Sequence, residues 1–294
     1  MKRISNYKTF INESSSESTL TPEQINFLNN YVKGYWKLNA DGVVDVDGHF
    51  SCFNKGLSDF KGIVFGKVNR DFDCSNNNLT SLEGCPKKVG GDFFCYVNKL
   101  TSLKGSPKEV GGSFICSGNN IITLEDAPKK TRRSFDCSHN KLTSLEFGPK
   151  EVGGNFNCSH NKLTSLEGAP EEVGVDFYCY YNELNNLKGS SYVVGRDFNC
   201  SDNKLTSLEG APKEIGDDFI LEDNEGVSSE ILKEIFRKML ESKLDYKTVL
   251  KSLWKEISIE DKILLYTPDL DWVEEDEGSK LVKLKKYSNI KKMI

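Results

Sequence analysis

From residue 50 onward the apolar positions of the chain repeat every 21 residues. Phenylalanine recurs at Phe72, Phe93, Phe114, Phe135, Phe156, Phe177, Phe198 and Phe219, and cysteine follows two residues later from Cys74 to Cys200. Asparagine comes next, at Asn77, Asn98, Asn119, Asn140, Asn161, Asn182, Asn203 and Asn224. Leucine or isoleucine stands two residues beyond each of the first seven, from Leu79 to Leu205, and a further leucine three beyond that, from Leu82 to Leu208. Proline recurs at Pro86, Pro107, Pro128, Pro149, Pro170 and Pro212. Phase locking of this kind is the signature of a solenoid. A first, imperfect rung is visible at Phe50-Ser51-Cys52 with Leu57, where Lys55 takes the asparagine position.

A single unit cannot fold alone. It offers about six apolar side chains worth ~1.5–3 kcal/mol each when buried, against about 1–2 kcal/mol of backbone entropy for every residue ordered. Neighbouring units must therefore share their faces. Strand alternation places phenylalanine and cysteine inward and the intervening residues outward. The asparagine amide is expected to bond the backbone of the turn that follows it, and the cysteines to pack as buried thiols, which implies a reducing compartment.

The unit F-x-C-S-x-N-x-L-T-S-L-E-G-x-P-K-x-V-G-G-x, as in Phe156 to Asp176, overlays the template L-x-L-x-x-N-x-L. The chain thus resembles leucine-rich repeat proteins. Its short, proline-containing repeats are similar to those of the secreted effectors of enteric bacterial pathogens. The resemblance covers residues 50 to 224 and implies an α/β-type solenoid, with a parallel β-sheet on one face, mostly irregular turns on the other, short helical caps and a C-terminal α-helical tail.

Four segments follow from these patterns: a leader and flexible linker at 1–19, an N-terminal cap at 20–49, a solenoid of about nine rungs at 50–225, and a helical cap or module at 226–294. In the cap, Thr21-Pro22-Glu23 opens a short helix through Tyr31, and Asn39-Ala40-Asp41-Gly42 joins two strands of a hairpin. Asp41, Asp45 and Asp47 do not make a calcium loop, because Val43 breaks the alternation and no glutamate closes it. After Asn224, Ile231, Leu232, Ile235, Phe236, Met239 and Leu240 recur at helical spacing. So do Tyr246, Val249, Leu250, Leu253, Trp254 and Ile257, and a third helix opens at Ser258 and stops before Pro268.

At the start of the chain, Ile4, Tyr7, Phe10 and Ile11 mark one face of a short basic helix ahead of a serine-rich linker. This segment resembles the capsid-targeting leader of internal head proteins of large tailed bacteriophages, which ends in a hydrophobic-x-Glu motif. The resemblance implies cleavage between Glu13 and Ser14, and a protein found in the host-cell cytoplasm and inside the virion head.

Charge and composition narrow the function. A net charge of −5 argues against binding nucleic acid through its phosphates. No apolar stretch is long enough to span a membrane, and no signal-peptide core follows the start. No nucleophile–base pair, phosphate loop or metalloprotease motif is present. The catalytic cysteine domain of the ubiquitin-ligase effectors has no counterpart, since no cysteine follows Cys200. The expectation is a monomer without cofactor that is not an enzyme.

What remains is the exposed face of the sheet. Phe94, Tyr96, Val97 and Ile115 form one apolar cluster in its outward columns, and Tyr178, Tyr180 and Tyr181 another. Grouped aromatics on a rigid surface are the residue types that anchor interfaces. His139 and His160 share a column on adjacent rungs, where they could chelate zinc with Asp136; repetition of the surrounding string explains the pair equally well, and no metal site is assigned. Asp71, Asp92, Asp176, Asp197 and Asp218 border the face, so the expected partner is a protein or peptide with a basic patch. The alternative is a structural component of a phage head with no host target.

Overall fold

A computed structural model describes residues 20–221 together with 223 and 224. The leader with Glu13 and Ser14, and the C-terminal helices, lie outside the described residues.

The chain enters through helix α1 (Pro22–Tyr31). Thr21 caps it: the Thr21 hydroxyl accepts from the Gln24 N–H at 3.2 Å, and the Gln24 side chain accepts from the Thr21 N–H at 2.9 Å. This reciprocal pair satisfies two donors that a helix start leaves orphaned. Strands β1 (Val32–Leu38) and β2 (Val44–Ser51) then form an antiparallel hairpin. Asp45 and Asp47 serve the backbone and side chains of the next turn, accepting from the Lys67 N–H and the Asn69 amide at 3.0 Å each. Phe50, near the end of β2, stacks on Phe72 at 4.7 Å, and Phe27 of α1 lies over it at 5.9 Å. Helix and hairpin thereby close one end of the apolar interior.

Beyond the hairpin the fold is a parallel β-solenoid with 21-residue turns, consistent with the leucine-rich repeat fold. Phe72–Asp73, Phe93–Phe94 and their successors down to Phe219–Ile220 pair in parallel, phenylalanine on phenylalanine. A second parallel ladder runs three residues ahead of the first in each turn, from Phe65–Val68 through Lys88–Val89, Glu109–Val110, Lys130–Thr131, Glu151–Val152, Glu172–Val173 and Val193–Val194 to Glu214–Ile215. The rest of each turn, as from residue 95 to 108, carries no strand and is the irregular run expected of the other face. The cause of the second ladder is local. Each two-residue pair except Val193–Val194 offers a branched side chain to the interior and a polar one to water, a pattern that suits a half-buried strand. Outward charges pair across rungs, as in Lys88–Glu109 at 2.6 Å and the Lys130–Glu151 contact. A glycine after the valine lets successive rungs close up: a Cβ on Gly174 would overlap the carbonyl oxygen of Gly153.

The interior is stacked. Phe72, Phe93, Phe114 and Phe135 lie nearly parallel, with centroids 5.3–5.7 Å apart. All nine cysteines are free and buried. Burial is the main cause that pushes the thiols from Cys52 to Cys200 up from their ordinary value, so they remain protonated and unreactive. The asparagines form the third buried ladder, but they bond in the direction opposite to expectation. Asn140 donates to Cys116 O of the preceding rung and to Cys137 O of its own, each at 3.1 Å, and accepts from the Ile121 N–H at 2.9 Å. Each amide thus closes the turn of the rung before it. The donors and acceptors lie 19 and 24 residues back because the turn left by one strand is roofed by the next.

Candidate protein-binding surface

The face over the phenylalanine ladder is narrower than strand alternation suggests. Its strands are two residues long, so only the position after phenylalanine is an outward strand position. The serines expected to point outward after the cysteines are buried instead at Ser75, Ser138, Ser159 and Ser201. They are held by the polar residue two positions earlier. Asp136 Oδ1 accepts from the Ser138 N–H at 2.9 Å, and the Ser159 and Ser201 hydroxyls donate to Asn157 and Asn199 Oδ1 at 2.7 Å. Asp73 and Ser75 make the same closure. The default rung therefore ends its strand in a self-satisfied polar turn.

Two rungs replace both members of that turn with aromatics. Phe94 and Tyr96 meet edge to face at 6.3 Å and 76°, and Tyr178 and Tyr180 repeat the arrangement at 6.1 Å and 74°. Ile115 lies beside Phe94 in register. The Tyr178 hydroxyl donates to Asp176 at 2.9 Å. Burial, and next the bond to that carboxylate, push its pKa up to about 12.

The third column has a different origin. Asn54, Asn76, Val97, Gly118, His139, His160, Tyr181, Asp202 and Asp223 all lie in the left-handed region, with φ between 50° and 65°. They are turn residues rather than strand residues. Asparagine, aspartate, histidine and glycine are the side chains that tolerate this conformation, so backbone geometry accounts for both histidines. Val97 and Tyr181 are the exceptions, and both are half exposed, at 50% and 51%. Each belongs to one of the two aromatic clusters.

His139, His160 and Tyr181 stack one above another. The two imidazoles are 4.0 Å apart and 14° from parallel, and Tyr181 lies on His160 at 4.5 Å and 20°. Tyr180 meets both His160 and Tyr181 edge to face, at 5.4 and 5.8 Å. Parallel rings direct their in-plane lone pairs side by side rather than toward one point, and Asp136 is engaged by Ser138. Among the described residues no group of three potential ligands is placed to hold a metal ion. Burial, then the neighbouring His139, lowers the pKa of His160 from its ordinary value, against an opposing pull from Asp202. At neutral pH His160 is therefore an uncharged aromatic plate.

The structure thus joins the histidines and the second tyrosine cluster into one array, and leaves Phe94, Tyr96, Val97 and Ile115 as a separate patch. The bordering aspartates are less free than expected. Asp71 accepts from the Asp92 N–H at 2.8 Å, Asp92 from Ser113 at 2.6 Å, and Asp197 from Asp218 at 3.0 Å, so they brace consecutive rungs. Asp202 differs: among the described residues its carboxylate has no hydrogen-bond or ion-pair partner. Sequence reasoning missed Asp202 as a site residue, although its place after Tyr181 in the column was visible. Exposed Phe147 and Tyr192 lie off this face, beneath Lys129 and Lys213.

No protein-family model and no curated protein matches the chain. Among solved structures it is similar to YopM from Yersinia enterocolitica WA-314, with 18% identity and a TM-score of 0.42. The likeness covers 55% of this chain and 42% of that one, so it spans less than half of that protein's length.

Proposed function

We propose that this chain is a non-catalytic protein-binding module whose partner, a protein or peptide with a basic patch, lies across the phenylalanine-ladder face. It anchors on two sites, Phe94–Tyr96–Val97–Ile115 and the array of His139, His160, Tyr178, Tyr180 and Tyr181. The observation that carries this is the paired replacement of the polar turn. A solenoid rung is satisfied by Asx and serine at these positions, and in two rungs both give way to partly exposed aromatics in the same edge-to-face geometry. Rigid aromatic side chains bury large areas with little entropy loss, which is what an interface anchor requires. The two sites are four rungs apart, about 19 Å at ~4.8 Å per rung, a span that about six extended residues cover.

The repeat itself supplies the test. The variants F94N/Y96S and Y178N/Y180S restore the turn that other rungs already use, so each is expected to fold. Wild-type protein immobilised against a bacterial host lysate should retain a specific protein that both variants release. Equal recovery by wild type and both variants would end this reading.

The finer proposal is that the protein is phage-encoded, monomeric and directed at a host protein in the host-cell cytoplasm, after release from a virion head. It rests on the leader resemblance and on cleavage between Glu13 and Ser14. Mass-spectrometric mapping of the N-terminus in purified particles should find Ser14 first; an intact terminus found only in cell lysate would remove it.

A further inference from the structure

We propose that the open face of Tyr181 is a slot for an arginine side chain, in which the guanidinium lies parallel to the tyrosine ring as the fourth plane of the stack and donates to Asp202. This rests on the docking surface proposed above and names the chemistry at one of its anchors.

The stack sets the geometry. Its three rings lie within 14–20° of parallel and are 4.0 and 4.5 Å apart, so they follow the solenoid axis rung by rung. It ends at Tyr181 because the next two residues of the column, Asp202 and Asp223, carry no ring. A planar group on the outer face of Tyr181 therefore occupies the level of the Asp202 rung, since rungs advance by ~4.8 Å. Tyr181 is 51% exposed and gives its other face to His160.

Charge decides what the planar group is. Nearby cations are already committed, Arg196 to Asp217 and Lys204 to Glu183, each at 3.0 Å. The Asp197 carboxylate is engaged by the backbone of the next rung. Among the described residues the Asp202 carboxylate is left without a hydrogen-bond or ion-pair partner beside the stack, which favours a cation and repels a phosphate-bearing base. Arginine fits better than lysine, because its flat, weakly hydrated head stacks on an aromatic face while its edge donates in plane to carboxylates. The opposite end of the stack offers no such complement: His139 is followed there by Gly118 and then Val97.

The experiment is an NMR titration of the isotopically labelled full chain with three probes: acetyl-Gly-Arg-Gly-amide, its lysine counterpart and its citrulline counterpart. The arginine peptide should shift the ring signals of His160 and Tyr181 and the amide of Asp202, saturating in the millimolar range. Lysine should bind at least about threefold more weakly, and neutral citrulline more weakly still. D202N keeps a residue that suits the left-handed turn, as Asn76 does, and should weaken arginine binding about fivefold or more. Equal shifts with all three peptides, or unchanged arginine affinity in D202N, overturn the slot. If the arginine peptide fails while a protein partner is still lost by Y178N/Y180S, the slot falls and the docking surface stands. If the partner is indifferent to those variants but the arginine peptide binds as described, the slot stands without the wider surface.

Discussion

Val97 occupies a backbone position at φ 50° where its neighbours in the column are asparagine, glycine and histidine. A β-branched side chain crowds the following carbonyl there, and left-handed geometry costs an ordinary residue roughly 1–2 kcal/mol. V97N installs the residue found at the same place in the preceding rung, Asn76, and is expected to stabilise the protein by about 1 kcal/mol. Denaturant unfolding followed by circular dichroism measures it. A destabilised V97N would mean that the isopropyl group packs to an extent its 50% exposure does not suggest. A variant that gains stability while losing partner affinity identifies Val97 as a contact residue held at the expense of the fold. Tyr181 bears the same backbone penalty but recovers part of it by stacking on His160.

At the scale of the rung, the asparagine ladder explains why the period holds so strictly. Each amide reaches one rung back to two kinds of backbone group, so a shift of one residue would leave a buried amide and several carbonyls without partners. Deleting residues 114–134 removes one full period and joins Ser113 to Phe135, which preserves every ladder. That protein should melt cooperatively at a lower temperature, by roughly 2–8 °C for each kcal/mol of lost interface. Deleting residues 114–133 instead leaves one residue too many, puts the later phenylalanines out of phase with the earlier ones, and should abolish the cooperative transition. Thermal circular dichroism of the two proteins separates the outcomes. Two equal melting curves would show that phase matters less than the amide network implies.

At the scale of the whole molecule, the inward-facing chemistry was legible in the chain and the outward-facing chemistry was not. Phenylalanine, cysteine, leucine and asparagine recur because each meets its own copy in the next rung, and a side chain that packs against its own repeat announces itself by periodicity. Periodicity alone therefore determined the solenoid, its repeat length and its buried thiols. It could not determine the second ladder, because a two-residue strand of one branched and one charged side chain is too short to register as an alternation. Nor could it show that the serine column is buried, that the third column turns left-handed, or that the asparagines reach backward. Those features depend on which backbone groups the neighbouring rung leaves open. The candidate site was half visible: the aromatics stood out as departures from the repeat. Only the tertiary structure stacked His139, His160 and Tyr181, separated Phe94 from that array and left Asp202 unpaired beside it, because contact between residues 21 apart exists only once the rungs are stacked.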